Sequence, residues 1–177
     1  MFHHIRAHTV GILLIALLGG LASAAQQAPP AAITWSVALA DPRRVVAPGQ
    51  VVEVTARAVV ERGWYVYGMA QPAGGPTPLR FTVPEGQPFA LAGPVTGPEP
   101  VRGWDAAFEI ETARHANTVE FVVPVRVEEG AAADKAPLTV QVRYQVCSDT
   151  LCLRPKTESL VLPVEIRRTA AARPRRE

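Results

Sequence analysis

Short segments in which apolar and polar residues alternate recur along most of this chain. From Val51 to Val60 the even-numbered side chains are apolar, and the odd-numbered ones include Glu53, Thr55 and Arg57. A period of two is typical of a β-strand with one buried face. The same period runs from Val119 to Val127, and no segment shows a convincing 3.6-residue helical period. The pattern therefore predicts an all-β protein.

Proline supports this interpretation, because eight of the 17 prolines fall between Pro72 and Pro100. Such a density excludes a helix there and favours loops, turns and edge strands. About seven to nine short strands within about 140 residues fit a single β-sandwich domain. We predict strands at Ile33–Ala40, Val51–Val60, Trp64–Tyr67, Leu79–Val83, Phe108–Thr112, Val119–Val127, Leu138–Val146 and Thr157–Ile166.

The N-terminus has the pattern of an export signal. An apolar run, Val10–Leu21, is followed by Ala22-Ser-Ala24, which places small residues where a signal peptidase cuts. We therefore predict a signal peptide over residues 1–24, cleaved after Ala24, and a soluble protein in the periplasm. A linker is expected over residues 25–32 and the sandwich domain over residues 33–166.

The last segment, residues 167–177, carries five arginines against one glutamate. A basic segment without periodicity is expected to be disordered. It can contact lipid headgroups or nucleic acid, but a solvated terminus is the more ordinary interpretation, and we predict no nucleic-acid partner.

Removal of the signal peptide limits the chemistry available to the chain. His115 is then the one histidine that remains and Met69 the one methionine, which leaves too few ligands for a zinc or copper site. The sequence contains no Gly-x-Ser-x-Gly nucleophile motif and no Gly-rich phosphate loop. We expect no cofactor and no metal, and the remaining reactive groups are the cysteines.

Cys147 and Cys152 are the two cysteines of the chain, and they lie between two alternating segments, at the predicted tip of a β-hairpin. A disulfide that closes a six-residue loop is worth only about 2 kcal/mol in the chain-entropy model. Such a bridge is a weak structural link and a plausible reactive one. Cys147 has the parity opposite to Val146, so we expect it to face solvent unless a bulge changes the register.

Three segments resemble a known family. They are Gly63-Trp-Tyr-Val-Tyr67, Gln71-Pro-Ala-Gly-Gly-Pro-Thr-Pro-Leu-Arg-Phe81 and Tyr144-Gln-Val-Cys-Ser-Asp-Thr-Leu-Cys-Leu-Arg-Pro155. They are similar to the N-terminal periplasmic domain of the thiol:disulfide interchange protein DsbD, and the resemblance extends over roughly Ile33–Ile166. It implies an immunoglobulin-like β-sandwich that transfers reducing equivalents.

The resemblance also implies roles for the cysteines and for partners. Cys152 matches the cysteine that forms the mixed disulfide, and Cys147 matches the cysteine that resolves it. The electron donor is then a thioredoxin-like domain or a membrane thiol reductase, and the acceptor a periplasmic disulfide isomerase or another thiol protein. Because the chain ends after the sandwich, we expect the donor to be a separate polypeptide. Arg154 stands where the family often has proline, which leaves the loop geometry open.

Aromatic residues complete the site that the resemblance implies. Tyr65 and Tyr67 match aromatics that line the active-site side, although at strand spacing they can equally pack one face of a sheet. A cap loop that covers the disulfide is expected within residues 102–108. Its shielding ring is either Trp104 or Phe108, and the sequence does not select between them.

Two functions from different classes remain after the sequence alone. The first is thiol–disulfide interchange through the Cys147–Cys152 pair, which would make the chain part of a protein-disulfide reductase system. The alternative is a non-redox β-sandwich, a binding or assembly module with a structural disulfide.

Overall fold

The computed structural model describes residues 31–168. The predicted signal peptide, most of the predicted linker and residues 169–177 of the predicted basic tail lie outside the described part. Between residues 31 and 168 the chain forms twelve β-strands and no α-helix, so no helix there is long and apolar enough to cross a membrane. The strands are β1 (Ile33–Leu39), β2 (Val45–Val46), β3 (Val51–Val60), β4 (Trp64–Tyr67), β5 (Arg80–Thr82), β6 (Phe89–Leu91), β7 (Val101–Asp105), β8 (Ile110–His115), β9 (Thr118–Val127), β10 (Lys135–Tyr144), β11 (Val146–Ser148) and β12 (Lys156–Ile166).

Two four-stranded sheets enclose the main core. Sheet A has the order β1-β3-β9-β6 and sheet B the order β2-β12-β10-β5. The alternating segments place one apolar row of each strand inward, and aromatic rings from both sheets meet there. The Trp35 ring of sheet A lies 5.7 Å from the Phe81 ring and 5.7 Å from the Tyr144 ring of sheet B, measured between centroids. The prediction of an all-β, immunoglobulin-like β-sandwich is confirmed.

A third sheet, sheet C, carries the cysteine segment. Its order is β11-β4-β8-β7. The chain leaves β10 at Tyr144 and enters β11 at Val146, so the strand that precedes the cysteines changes sheets at Gln145. The Tyr67 N–H donates to the Gln145 carbonyl over 3.3 Å, which fixes this crossing point against β4.

The long alternating strands were predicted within a few residues, and β3 and β4 to the residue. The predicted strand count was too low, because β2, β6, β7 and β11 were not identified. They have two to five residues each, which is too short for alternation to be recognised. The strand predicted at Phe108–Thr112 was misplaced: Phe108 lies in a turn and β8 begins at Ile110.

His115 is part of a strand and not of a loop. It is the last residue of β8 and is 7% exposed. Its ring packs edge-on against Phe121, with 5.3 Å between the centroids. Burial lowers the pKa of the His115 imidazole, which favours the neutral form of this interior side chain.

Candidate active site around the Cys147–Cys152 disulfide

β4 has two buried faces, and this double burial creates the site. Val66 is fully buried in the main core, whereas Tyr65 and Tyr67 pack on the opposite face with Cys147. The alternation of side chains along a strand separates them in this way. β11 follows the same rule, since Val146 pairs with Val66 in the main core and Cys147 pairs with Tyr65 on the other face.

The disulfide joins Cys147 to Cys152 and is the cross-link of a short hairpin. The Ser148 N–H donates to the Leu151 carbonyl over 2.8 Å, and the Ser148 Oγ accepts the Leu151 N–H over 3.1 Å. The Leu153 N–H donates to the Val146 carbonyl over 3.0 Å. The turn between the cysteines is therefore closed by its own backbone and by one serine side chain.

A one-residue bulge gives Cys152 its direction. Tyr144 pairs with Lys156, and Cys147 pairs with Cys152. Two residues lie between Tyr144 and Cys147, but three lie between Cys152 and Lys156 on the opposite strand. Arg154 and Pro155 therefore face the single residue Gln145. Because one extra residue moves every later side chain to the other face, Cys152 points to the side that Cys147 occupies. Proline fits this position, since it has no N–H to leave unpaired.

Gln145 holds the bulged segment in place. Its Nε2 donates to the Leu153 carbonyl over 3.3 Å, and its Oε1 accepts the Thr77 N–H over 2.9 Å. One amide side chain therefore connects the segment that returns from Cys152 to the proline-rich loop beside it. Gln145 lies in one of the family motifs of the sequence, but its role depends on contacts that a motif does not show.

Cys147 was expected to face solvent, and this is wrong. It does take the face opposite Val146, but it is 0% exposed because sheet C is covered on that face as well. Cys152 is only half-buried. The two residues are thus unequal in their access to solvent, and the more accessible one is Cys152. Alternation indicates which face a residue takes, but it does not indicate what lies over that face.

Three aromatic rings pack around the disulfide. The Tyr65 and Tyr67 rings meet edge to face at 5.5 Å, and the Phe108 ring meets the Tyr67 ring edge to face at 5.9 Å, both measured between centroids. Phe108 and Cys152 are the half-buried members of this cluster. The structure therefore brings together Tyr65, Tyr67, Phe108 and both cysteines.

Trp104 lies outside this cluster. It is 66% exposed and lines a surface groove beside Tyr65 and Asp149. Of the two candidate cap residues, Phe108 is the one that the structure places against the disulfide cluster. Phe108 belongs to the four-residue turn between β7 and β8, which we call the cap turn (residues 106–109).

A buried carboxylate that the sequence analysis missed anchors the cap turn. Asp105 is 2% exposed, and its Oδ2 accepts hydrogen bonds from the Tyr67 hydroxyl over 2.6 Å and from the Thr112 hydroxyl over 3.3 Å. Its Oδ1 accepts the Ala107 N–H over 3.0 Å, which holds the start of the turn. An aspartate whose side chain caps the backbone two residues ahead is a common turn signal, and it was available in Asp105-Ala-Ala-Phe.

The hydrogen bond to Asp105 also fixes the protonation of Tyr67. Burial, followed by this hydrogen bond, raises the pKa of the Tyr67 phenol far above its usual range. The hydroxyl therefore remains a donor at any physiological pH. Tyr67 thus links the strand beneath the disulfide to the turn above it.

Arg114 is a second residue that the sequence analysis did not identify. The Cζ of its guanidinium lies 4.5 Å from the centroid of the Tyr65 ring, in the geometry of a cation–π contact. The Tyr65 hydroxyl reaches the Ser148 carbonyl over 3.4 Å, next to Cys147. Tyr65 is therefore held between a cation and the turn that carries the cysteines.

The site contains no obvious place for a metal ion. Among residues 31–168 no three histidine, cysteine, aspartate or glutamate side chains are grouped as metal ligands. The chemistry that the arrangement supports is exchange at sulfur, with Cys152 on the accessible side.

Among the solved structures that this chain resembles are two N-terminal domains. The Neisseria meningitidis DsbD n-terminal domain in the reduced form shares 15% sequence identity at a TM-score of 0.45, over 63% of this chain and 77% of that chain. The N-terminal periplasmic domain of ScsB from Proteus mirabilis shares 16% identity at a TM-score of 0.49, over 73% of this chain and 45% of that chain. No curated protein sequence matches the chain.

These distant structural similarities do not assign the chain to a family, but a match to a family model does. The model for the N-terminal part of the thiol:disulfide interchange protein DsbD matches residues 36–163, which is well over half of the chain and includes both cysteines. The match agrees with the disulfide and with the family resemblance noted in the sequence. The chain therefore belongs to the family of DsbD N-terminal domains, which are thiol–disulfide exchange domains.

Proposed function

We propose that this chain carries reducing equivalents in the periplasm through the Cys147–Cys152 pair. The observation that carries the proposal is the unequal burial of a disulfide that lies in an aromatic cluster: Cys147 is inaccessible, and Cys152 is half-buried beside the cap turn. An attacking thiolate needs in-line access to one sulfur, and only Cys152 offers it.

The first half of the proposed cycle reduces this chain. A donor thiolate attacks the Sγ of Cys152, and the Cys147–Cys152 bond breaks with its electron pair on Cys147, which takes up a proton. The donor's second thiolate then attacks the donor's first sulfur, which is bonded to Cys152 in the mixed disulfide, and Cys152 leaves as a thiolate. Two electrons pass to this chain, and the donor ends as a disulfide.

The second half reduces an acceptor. The Cys152 thiolate attacks an acceptor disulfide, which forms a mixed disulfide and releases one acceptor thiolate. Cys147 then loses its proton and attacks Cys152, which restores the disulfide of this chain and releases the second acceptor thiolate. Cys152 is thus the exchanging cysteine and Cys147 the resolving one.

The partners follow from the family, whose members act on thiols and disulfides. We propose a thioredoxin-like domain or a membrane thiol reductase as the donor, and a periplasmic disulfide isomerase or another thiol protein as the acceptor. The export-signal pattern of residues 1–24 and the disulfide support a periplasmic location. Cleavage after Ala24 stays a prediction, and N-terminal sequencing of the native protein tests it.

The surrounding residues have proposed roles as lining or as cap. Tyr65 and Tyr67 form the floor beneath the disulfide, and Phe108 is the shielding ring of the cap turn. Trp104, whose side chain is exposed, is a surface contact rather than a shield.

Trapping of the mixed disulfide tests the two cysteine roles. Cys147→Ala removes the resolving thiol and is expected to accumulate a covalent complex when mixed with an oxidised thioredoxin-like protein or isomerase. Cys152→Ala is the matched control and should accumulate much less, because its one thiol is buried. Non-reducing gels make the comparison. Equal trapping by both variants would remove the role assignment.

Equilibration with glutathione separates this function from a structural disulfide. An exchanging disulfide is expected to be reduced within the range of periplasmic carriers. A structural bridge typically resists reduction down to potentials below about −300 mV. Resistance of that kind would support the non-redox alternative.

A further inference from the structure

The hydrogen bonds around the disulfide show which way the backbone of Cys152 faces. In an antiparallel hairpin, directly opposed residues alternate between pairs that exchange hydrogen bonds and pairs that do not. The bonds from Ser148 to Leu151 and from Leu153 to Val146 lie on either side of the cysteine pair. Cys147 and Cys152 are therefore a non-hydrogen-bonded pair, and the N–H and C=O of Cys152 point away from β11.

That outward side of the segment is open. Within residues 31–168 neither the N–H nor the C=O of Cys152 has a hydrogen-bond partner. Its neighbours are exposed, Leu151 by 55% and Leu153 by 39%. We call residues 151–153 the return arm. It is the outermost strand-like segment beside β11, and its free edge carries the residue that exchanges.

The free edge is short at both ends. On one side the chain enters the Ser148–Leu151 turn, and on the other side Pro155 supplies no N–H. Unpaired N–H and C=O groups of an edge strand bind a further extended segment when one is available. The edge therefore has room for about three residues of a partner chain, centred on Cys152.

We propose that the return arm receives an extended, cysteine-bearing segment of the thiol partner as an added antiparallel strand, bonded to the N–H and C=O of Cys152. This inference rests on the proposed function. The disulfide itself determines the occupant, because exchange requires that a partner cysteine and its flanking backbone come to Cys152. Recognition is then mainly through the backbone, with Leu151 and Leu153 adding apolar contact.

This mode of binding explains how one small site accepts different thiol proteins. Backbone hydrogen bonds are independent of the partner's side chains, so the edge selects extended segments rather than a sequence. The pairing also places the partner chain in a defined register, which directs its sulfur at the Sγ of Cys152.

A peptide series tests the added strand. The probe is a five-residue peptide with a central cysteine, supplied as its mixed disulfide with glutathione and mixed with Cys147→Ala protein that was first reduced. The Cys152 thiolate attacks the peptide sulfur, a Cys152–peptide disulfide forms, and glutathione leaves as a thiolate. The equilibrium constant is measured for the plain peptide and for peptides N-methylated at one position at a time.

N-methylation removes a single backbone donor, and alternate donors of an extended segment face opposite edges. The free edge offers one acceptor, the Cys152 carbonyl, so a methyl group at the one position whose N–H faces it is expected to lower the equilibrium constant by about 2- to 10-fold, the worth of one hydrogen bond. Methyl groups at the other positions serve as matched controls and should leave it unchanged. Amide hydrogen exchange adds a second readout, since the Cys152 N–H should become protected in the complex while the already bonded Leu153 N–H should not change.

The outcomes separate this inference from the proposed function. Mixed disulfides that form with no dependence on the methyl position would overturn the added strand and leave the exchange function standing. Failure of Cys152 to form a mixed disulfide with glutathione or with any peptide would overturn both. If Cys147→Ala does not fold, the rate at which the same peptides, as free thiols, reduce the wild-type disulfide gives the same comparison.

Discussion

Removal of the Phe108 ring is expected to open the disulfide to small reagents. Full burial makes a Phe→Ala change cost about 3–5 kcal/mol, and the half-buried Phe108 should lose roughly half of that, about 1.5–2.5 kcal/mol. This free energy is what keeps the cap turn closed over Cys152. If a small thiol can attack only after the Phe108 ring has moved, its rate of attack should rise about 10- to 70-fold in Phe108→Ala, since about 1.4 kcal/mol corresponds to a factor of ten.

The assay is the pseudo-first-order reduction of the disulfide by dithiothreitol at fixed pH. Trp104→Ala is the first control, because it removes a large ring next to the same turn but outside the cluster, and its rate should stay near that of the wild type. Phe89→Ala is the second control. It removes a ring that is 3% exposed in the main core, so it destabilises the domain without touching the site.

Two results would refute this reasoning. An unchanged rate in Phe108→Ala would mean that reagents reach Cys152 without displacing the ring. Equal acceleration in Phe108→Ala and Phe89→Ala would mean that the disulfide is reached by general unfolding and not by opening of the cap turn.

Further predictions concern the disulfide, the buried phenol and the bulge. The double variant Cys147→Ala with Cys152→Ala should stay folded, because the bridge contributes only about 2 kcal/mol, and loss of the cooperative thermal melt would contradict this. The raised pKa of Tyr67 implies stability that is present below the ordinary phenol value of about 10 and is lost as the pH rises above it, so melts between pH 8 and pH 11 should decline less in Tyr67→Phe than in the wild type. Deletion of Arg154 should turn Cys152 to the other face and leave two free thiols by titration, whereas Arg154→Ala should leave none.

The sequence predicts the sandwich well because long strands with one buried face have a regular period. β3 and β9 show it over ten residues each, and both were found. The Cys147–Cys152 pair stood out because the chain offers no other reactive group of comparable kind. The family motifs then supplied Tyr65 and Tyr67, which the structure places in one cluster with Cys147.

The features of the site that could not be predicted from the sequence depend on contacts between distant segments. Cys147 is buried in part by the cap turn, which lies about forty residues earlier in the chain. The alternation of apolar and polar residues does not show which distant segment will cover a strand. The partner of Asp105 is the Tyr67 hydroxyl, which reaches it only after β4, β8 and β7 have assembled. The choice between Trp104 and Phe108 required the shape of the cap turn, since both are aromatic and lie four residues apart.

The unequal burial of the two cysteines has a kinetic consequence for a carrier of this kind. In the proposed mechanism donor and acceptor both attack or are attacked at Cys152, so they would compete for one surface and could not be bound together. Electron flow through the domain is then a double-displacement reaction, in which the oxidised donor departs before the acceptor arrives. At high concentration each partner should inhibit the other's half-reaction, and the throughput of the pathway should depend on how quickly the domain releases each partner.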